Sequence, residues 1–167
     1  MKNIILIGMP GCGKSSIGSM VSKVLEMDFC DLDNYIEDRE HTSIPELFKI
    51  SEDHFRNAES SAAAEISQRQ GIVISTGGGI VTRSENMEMF SKTGIIFYIE
   101  RPIEMILKTS DLRTRPLLAK DHTRIYTLYE NRKHLYEKYC HFRIINDQSI
   151  SIAVDQITKI IGEQNHC

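Results

Sequence analysis

Two kinds of apolar pattern alternate along the chain. Five short runs, rich in isoleucine, valine and phenylalanine and bounded by turn residues, predict buried β-strands. Between them apolar residues recur every three or four positions, which predicts amphipathic helices. The predicted strands are Asn3–Ile7, 27–30, Ile72–Ser75, 95–99 and Phe142–Ile145, and the predicted helices are 14–25, 52–69, 84–92, 123–139 and 150–161, with another beginning at Pro102.

Strand and helix alternate five times. This order predicts an α/β fold in which helices cover both faces of a parallel sheet. Ligands of such sheets bind at the carboxyl ends of the strands, so we expect the chemistry in the loops after the first three strands. Residues 109–122 break the helical pattern and are predicted to form a mobile loop.

The composition narrows the class of protein. With 167 residues, of which 41% are hydrophobic and 26% charged, the chain is predicted to be one globular domain, 1–167. The net charge of −3 argues against a general nucleic-acid binder, which usually carries a basic excess. No run of eighteen apolar residues is present, so no membrane span is expected.

The cysteines and histidines form no recognisable framework. Cys12, Cys30, Cys140 and Cys167 include no pair at CxxC spacing, and four scattered thiols do not resemble a disulfide scaffold. This use of cysteine favours a reducing, cytoplasmic compartment. Neither the cysteines nor the six histidines have the spacing of a metal site.

The most specific motif is GMPGCGKSS at 8–16, between the first predicted strand and the first predicted helix. It matches G-x-x-x-x-G-K-[ST], in which glycines let backbone N–H groups surround phosphate oxygens. Lys14 can reach the β- and γ-phosphates, and Ser15 can ligate Mg²⁺. The motif predicts nucleotide binding and favours phosphoryl transfer. Cys12 is interpreted either as a reactive thiol near a helix N-terminus or as a small packing side chain.

Two carboxylates follow the second predicted strand, in the sequence Asp31-Leu32-Asp33. In an extended chain, alternation would place both carboxylates on one side. One could then hold Mg²⁺ through water, and the other could orient or deprotonate a hydroxyl group. The alternative is a pair of helix-capping or loop aspartates.

Two arginines stand at the apolar faces of predicted helices. Arg56 shares a helix face with Glu59, so an exposed ion pair is the alternative to a binding role. Arg132 lies within an apolar stripe of the helix that follows the 109–122 loop. A buried arginine needs an anionic partner. That partner is either an internal acid or a ligand carboxylate gripped in bidentate fashion.

Two further segments carry candidate site residues. The 109–122 loop contains Arg113 and Arg115, and an arginine on such a loop can close over a transferring phosphoryl group. A solvated basic loop is the alternative. Three glycines at 77–79 end the third predicted strand. They would let a small acceptor lie against backbone N–H groups, and a plain flexible turn is the alternative.

Together, the segments GMPGCGKSS, DLD, FR, STGGGIV, TRPLL and NRKHLY resemble the shikimate kinase family, in this order and over nearly the whole chain. The resemblance implies a five-stranded parallel sheet in the order 2-3-1-4-5, as in nucleoside monophosphate kinases. It also implies a lid at about 109–122 and a shikimate-binding helical region at about 33–62. The implied enzyme is monomeric, requires ATP and Mg²⁺, and phosphorylates the 3-hydroxyl of shikimate in the route to chorismate and the aromatic amino acids. Nucleic acid and membrane are not expected as partners.

The same resemblance implies a role for each matching residue. Residues implied to contact the nucleotide are Gly11, Cys12, Gly13, Lys14, Ser15, Ser16, Arg115 and Gln148. Residues implied to contact shikimate are Asp33, Arg56, Glu59, Gly77, Gly78, Gly79 and Arg132. The implied metal contacts are Ser15 and, through water, Asp31, and the implied catalytic residues are Lys14, Asp33 and Arg115.

Two other functions are open at this point. One is another small-metabolite or nucleotide kinase on the same scaffold, against which the triple glycine and the two carboxylate-type arginines count. The other is a nucleotide-dependent regulatory module without catalysis. The intact Lys14, Ser15, DLD sequence and Arg115 count against that module.

Overall fold

The protein is described here by a computed structural model that covers residues 1–108 and 122–164. Its strands are β1 (Asn3–Ile7), β2 (Asp28–Asp31), β3 (Ile72–Ser75), β4 (Gly94–Glu100) and β5 (Phe142–Ile145). All neighbouring strands pair in parallel, in the order β2-β3-β1-β4-β5. The predicted α/β fold and strand order are therefore confirmed.

Helices connect these strands. Those within the described residues are α1 (Lys14–Val24), α2 (Leu32–Glu40), α3 (Ile44–Ile50), α4 (Glu52–Ser67), α5 (Ser84–Thr93), α6 (Ile103–Leu107), α7 (His122–Tyr139) and α8 (Ile150–Gln164). Each helix predicted from periodicity is present, with ends that differ by up to three residues. The short helices α2 and α3 lie at about 33–62, the region for which the resemblance implied helices, with α2 beginning one residue earlier at Leu32. No helix in the described part of the chain is long and apolar enough to cross a membrane.

The centre of the sheet is closed to solvent on both faces. Ile4, Ile5, Leu6 and Ile7 are all fully buried in β1, although successive side chains of a strand point to opposite faces. A continuous apolar run of this kind is what a central parallel strand requires, because helices cover both of its sides. The first loop therefore leaves the sheet at a rigid central position.

Polar contacts hold β3 in register with β1. The Asn3 amide donates to the Arg69 carbonyl at 2.7 Å, and its carbonyl oxygen accepts from the Ile72 N–H at 3.2 Å. Beyond the end of β3, the Thr76 N–H and hydroxyl both donate to the Leu6 carbonyl, at 3.1 and 2.8 Å. The glycines that follow Thr76 are thereby placed beside the loop that follows β1.

Parts of the sequence prediction lie outside the described residues. They include residues 109–121 of the predicted loop, and therefore Arg113 and Arg115. Cys167 is also outside. The described chain resumes at His122, which begins α7.

Candidate active site

The loop between β1 and α1 has the backbone of a phosphate-binding turn. Gly8, Gly11 and Gly13 have φ values of +147°, +77° and +99°, which side-chain-bearing residues rarely adopt. A Cβ at Gly8 would also lie 2.9 Å from the Cys12 sulfur. The glycines therefore allow the loop to wrap tightly before α1 begins, so that backbone N–H groups can turn towards an anion.

Lys14 bends back over this loop. Its ammonium donates to the Gly8 and Met9 carbonyls at 2.8 and 2.9 Å and lies 3.6 Å from the Cys12 sulfur. The residue is only 7% exposed. The loop thus holds the buried Lys14 ammonium group. Its hydrogen bonds to the carbonyls can be exchanged for stronger ones to phosphate oxygens. Cys12 is fully buried, which favours its interpretation as a packing side chain over a reactive thiol.

Asn146, just after β5, supports the phosphate loop and was missed in the sequence analysis. It is 2% exposed, and its amide donates to the Cys12 carbonyl at 2.9 Å. The same amide would lie 2.8 Å from a Cβ at Gly13. A single asparagine carries no motif, and its role becomes visible only when the sheet order brings the end of β5 to the loop. Gln148, the implied adenine contact, is exposed two residues further on.

Three oxygen-bearing side chains meet where α1, β2 and β3 converge. The Ser15 hydroxyl donates to Asp31 Oδ2 and lies 3.1 Å from the Ser75 hydroxyl. Ser75 is 1% exposed and was also missed, although the parallel register pairs it with Asp31. Hydroxyl and carboxylate oxygens are ligands that suit Mg²⁺. Among the described residues no group of three or more His, Cys, Asp or Glu side chains could hold a metal ion.

Asp31 and Asp33 do not lie on one extended segment, and the predicted alternation is wrong. β2 ends at Asp31, whose Oδ1 accepts from the N–H groups of Asp33 at 3.1 Å and Asn34 at 3.3 Å. This cap starts α2 at once, so that Asp33 lies in the first helical turn. Asp33 reaches the site nevertheless, because a Cβ at Gly77 would lie 2.9 Å from its Oδ1.

Arg56 and Glu59 form a buried ion pair on α4. Arg56 Nη1 donates to Glu59 Oε2 at 2.7 Å, and the two residues are 7% and 1% exposed. The exposed-pair alternative is therefore wrong. The guanidinium carbon lies 5.0 Å from the ring centre of Phe55 and 5.9 Å from that of Phe48. Arg56 Nε and Glu59 Oε1 are buried without a hydrogen-bond partner, a cost that a polar ligand can relieve.

Charged groups from three helices converge on Glu59. Burial raises the pKa of Glu59 above its ordinary 4.5, while the charge and hydrogen bond of Arg56 lower it. The charge of Asp33 raises the pKa further, and that of Arg132 lowers it. Arg132, partly buried on α7, therefore lies within electrostatic reach of an internal acid. Asp33, Arg56, Glu59 and Arg132 thus form one cluster.

The glycine turn makes room for this cluster. A Cβ at Gly77 would lie 3.2 Å from Glu59 Oε1 as well as close to Asp33. A Cβ at Gly79 would lie 2.5 Å from Arg56 Nη1 and 2.6 Å from its Cζ. Neither glycine has a positive φ, so both positions serve close approach and not an unusual backbone angle.

The middle glycine joins the two halves of the site. A Cβ at Gly78 would lie 2.7 Å from Pro10 Cδ, within the phosphate loop. The turn therefore packs against the phosphate loop on one side and against the charged cluster on the other. A phosphate bound by the loop and a ligand bound by the cluster would be neighbours.

A family comparison identifies this arrangement. The sequence profile of the family described as shikimate kinase matches residues 10–162. The chain belongs to the shikimate kinase family. It is therefore a transferase that phosphorylates shikimate with ATP as the phosphate donor, which confirms the function implied by the sequence resemblance.

Individual relatives agree with this assignment. A shikimate kinase from Clostridium botulinum (strain Alaska E43 / Type E3) is 45% identical over 162 residues, covering 96% of this chain and 98% of that protein. A shikimate kinase from Acinetobacter baumannii, solved in complex with shikimate, is 32% identical with a TM-score of 0.87, covering 96% of this chain and 91% of that one. One from Bacteroides thetaiotaomicron is 28% identical with a TM-score of 0.89, covering 96% and 98%.

Proposed function

We propose that the chain transfers the γ-phosphate of ATP to the 3-hydroxyl of shikimate, with Mg²⁺, through the residues gathered around the glycine turn. The observation that carries this proposal is the contact between Gly78 and Pro10. It makes the phosphate loop and the charged cluster adjoin, as direct transfer between two bound substrates requires. The other contacts divide into an acceptor side and a donor side.

On the acceptor side, Arg56 and Arg132 hold the shikimate carboxylate. Arg56 is buried against two aromatic rings and Glu59, so its orientation is set before the ligand arrives. A guanidinium can hold a carboxylate with two parallel hydrogen bonds. Arg56 Nε has no hydrogen-bond partner, although the exposed Glu52 carboxylate lies 3.7 Å away. This atom and the nearby charge of Arg132 support binding of a ligand carboxylate beside Glu59.

Asp33 acts on the acceptor hydroxyl. As the 3-hydroxyl oxygen bonds to the γ-phosphorus, the bond to the oxygen that bridges the β- and γ-phosphates breaks and ADP leaves. The hydroxyl proton passes to the Asp33 carboxylate. Such transfers have a loose transition state, so positioning of the hydroxyl by Asp33 against the backbone of Gly77 and Gly78 matters more than strong basicity.

On the donor side, Lys14 and the backbone of residues 11–16 bind the phosphates. Lys14 would exchange its carbonyl partners for the β- and γ-phosphate oxygens. Ser15 and Asp31, assisted by Ser75, would hold Mg²⁺, which when bound supplies charge neutralisation of the phosphate oxygens. The Ser15–Asp31 hydrogen bond already brings these ligand oxygens together.

Further assignments in the proposal come from the family resemblance. Arg115 reaches the phosphates from a lid at 109–122, and Gln148 contacts the adenine. We also propose that residues 1–167 form one domain of a cytoplasmic, monomeric enzyme. Size-exclusion chromatography with light scattering tests the monomer.

The test is release of ADP from Mg-ATP with a panel of shikimate, quinate, gluconate and AMP. We expect turnover with shikimate and little with the other three. Phosphorylation requires both a carboxylate that Arg56 and Arg132 can hold and a hydroxyl placed where Asp33 can orient it. Turnover with AMP or gluconate instead would contradict the acceptor assignment while leaving the phosphate loop intact. ATP binding without any turnover would favour the regulatory module.

A second measurement separates binding from catalysis. Shikimate alone should raise the melting temperature, because a ligand at 100 times its Kd adds about 2.7 kcal/mol to the free energy of unfolding. Quinate is the matched control. An equal shift with quinate would show that the cluster recognises only a carboxylate.

A further inference from the structure

Tyr136 connects α7 to both halves of the site, and no role in the proposed mechanism has been given to it. Its side chain is fully buried, with the ring stacked on Tyr98 at 5.1 Å between centres. The hydroxyl donates to the Gly78 carbonyl at 2.6 Å and lies 3.9 Å from the Met9 sulfur in the phosphate loop.

Tyr136 also stands next to Arg132. The two are four residues apart on α7 and therefore share a helix face. Burial raises the pKa of Tyr136 well above its ordinary value, while the Arg132 guanidinium opposes this through its charge and a hydrogen bond. One helix face thus presents an arginine to the acceptor cluster and a hydroxyl to the glycine turn.

The hydrogen bond to Gly78 sets the direction of a whole peptide group. In a trans peptide the carbonyl and the following N–H point to opposite sides, and the described chain contains no cis peptide bond. With the Gly78 carbonyl held towards Tyr136, the Gly79 N–H points away from it. A peptide between two glycines has few intrinsic restraints on its rotation. Within the turn, Ile80 N–H donates to the Gly77 carbonyl and Thr82 donates to the Gly79 carbonyl, which holds the two flanking peptides. The carbonyl of the Gly78–Gly79 peptide is held by Tyr136.

The other contacts of the turn show why this orientation matters. The position of a Gly79 Cβ is occupied by the Arg56 guanidinium, and that of a Gly78 Cβ by Pro10. If the peptide rotated, the glycine turn would no longer fit between these neighbours. The backbone of the glycine turn would then no longer lie against both Arg56 and the bound acceptor.

We propose that Tyr136 is a positioning residue, whose hydroxyl holds the Gly78–Gly79 peptide in the orientation that the acceptor site requires. The inference rests on the proposed function, because the acceptor is taken to be shikimate. Tyr136 does not touch the reacting atoms. It acts through the glycine turn, and its loss should weaken acceptor use more than nucleotide use.

The test is Tyr136→Phe, which removes one oxygen and keeps the ring that stacks on Tyr98. Tyr139→Phe is the matched control, because it removes a hydroxyl from the same helix three residues later, where the side chain is partly buried against the core. Kinetic constants for both substrates and melting temperatures are measured for the wild type and both variants. We expect the KM for shikimate to rise about tenfold in Tyr136→Phe, with the KM for ATP within about twofold.

A purely structural hydroxyl would lower the melting temperature and leave the KM for shikimate unchanged, and that result would overturn the inference. Equal rises in both KM values, or the same change in Tyr139→Phe, would also overturn it. Absence of wild-type turnover with shikimate would instead refute the proposed function, and this inference with it.

If Tyr136→Phe does not fold, Gly78→Ala provides the second variant. Its Cβ would meet Pro10 and push the turn away from its seat while Tyr136 stays intact. We expect the KM for shikimate to rise more than the KM for ATP, which also changes because Pro10 belongs to the phosphate loop. An unchanged KM for shikimate in this variant would overturn the inference.

Discussion

The two halves of the site are built in different ways. The phosphate side is nearly continuous in sequence: Lys14, its carbonyl partners and the flexible glycines all lie within 8–16. The acceptor side draws Asp33, Arg56 and Arg132 from three helices and places them around the turn after β3. The phosphate side depends on the local backbone geometry of one loop, whereas the acceptor side depends on buried charged groups that converge from separate helices.

This difference has an energetic consequence. On the phosphate side, the buried Lys14 ammonium is satisfied by loop carbonyls before any ligand binds. On the acceptor side, Arg56 Nε and Glu59 Oε1 are left without hydrogen-bond partners. Unsatisfied buried polar groups cost folding free energy and are strong binding determinants for a ligand that satisfies them. The acceptor side should therefore be the more sensitive to single substitutions.

The largest expected effect comes from Asp33→Asn, which breaks the acceptor side at its chemical centre. The amide cannot take the hydroxyl proton and orients the hydroxyl differently, so kcat should fall about 100-fold or more while ATP binding survives. Steady-state kinetics and ATP titration measure the two effects. Asp38→Asn, at an exposed position of the same helix, is the control. Near-normal turnover of Asp33→Asn would remove this residue from the mechanism.

Arg132→Ala should have the next largest effect, and only on the acceptor side. Loss of a charged hydrogen bond to the substrate carboxylate should raise the KM for shikimate about 30-fold, with a much smaller change for ATP. Arg124→Ala removes an exposed arginine from the same helix and serves as control. If the KM for shikimate stays the same, the partner of Arg132 is the internal acid Glu59.

Gly79→Ala tests whether the glycine turn is shaped by its neighbours. The new Cβ would displace the Arg56 guanidinium, which is the end of a flexible side chain, so the KM for shikimate should rise about tenfold with a small change in stability. Gly162→Ala is the control, because a Cβ there meets nothing within 4 Å. Since it lies in α8, this control should gain about 0.5–1 kcal/mol of stability. Unchanged kinetics of Gly79→Ala would mean that Arg56 is not a substrate ligand.

Asn146→Ala sharpens the comparison from the phosphate side. It leaves the Cys12 carbonyl without its amide donor and loosens the loop, so the KM for ATP should rise about fivefold. The KM for shikimate, measured in the same assay, is the internal control. A larger rise for shikimate than for ATP would contradict the division of the site into two halves.

The smallest expected effect is a change in how stability depends on pH. Burial raises the pKa of Glu59 above 4.5 in the folded protein, so the folded state keeps its proton to higher pH than the unfolded chain. The stability gained is complete below pH 4.5 and is lost as the pH rises through the raised value. Urea unfolding should therefore show that the stability of the wild type relative to Glu59→Gln falls as the pH rises above 4.5.

Glu52→Gln is the control for this measurement. It removes an exposed carboxylate that also lies near Arg56, at 3.7 Å, from the same helix. We expect this variant to keep the wild-type pH dependence. If lowering the pH destabilises the wild type more than Glu59→Gln, the raised pKa of Glu59 is contradicted.

Sequence reasoning was most successful where the relevant contacts are local. The glycines and Lys14 are readable because a phosphate loop needs positive φ values and a nearby cation within a few residues. Asp33 was assigned to the site through a wrong local geometry, since the cap formed by Asp31 starts α2 immediately. Ser75, Asn146 and Tyr136 were not found, because each contacts the site across more than fifty residues of chain.

The sequence by itself determined the α/β alternation, the phosphate loop and the family, since hydrophobic period and contiguous motifs are properties of neighbours along the chain. Only the tertiary structure decided why three glycines stand together. Each one makes room for a different neighbour: Asp33 and Glu59 at the first, Pro10 at the second, and Arg56 at the third. These steric requirements leave no signal in the neighbouring sequence, because the groups that occupy the space come from distant segments brought together by the strand order.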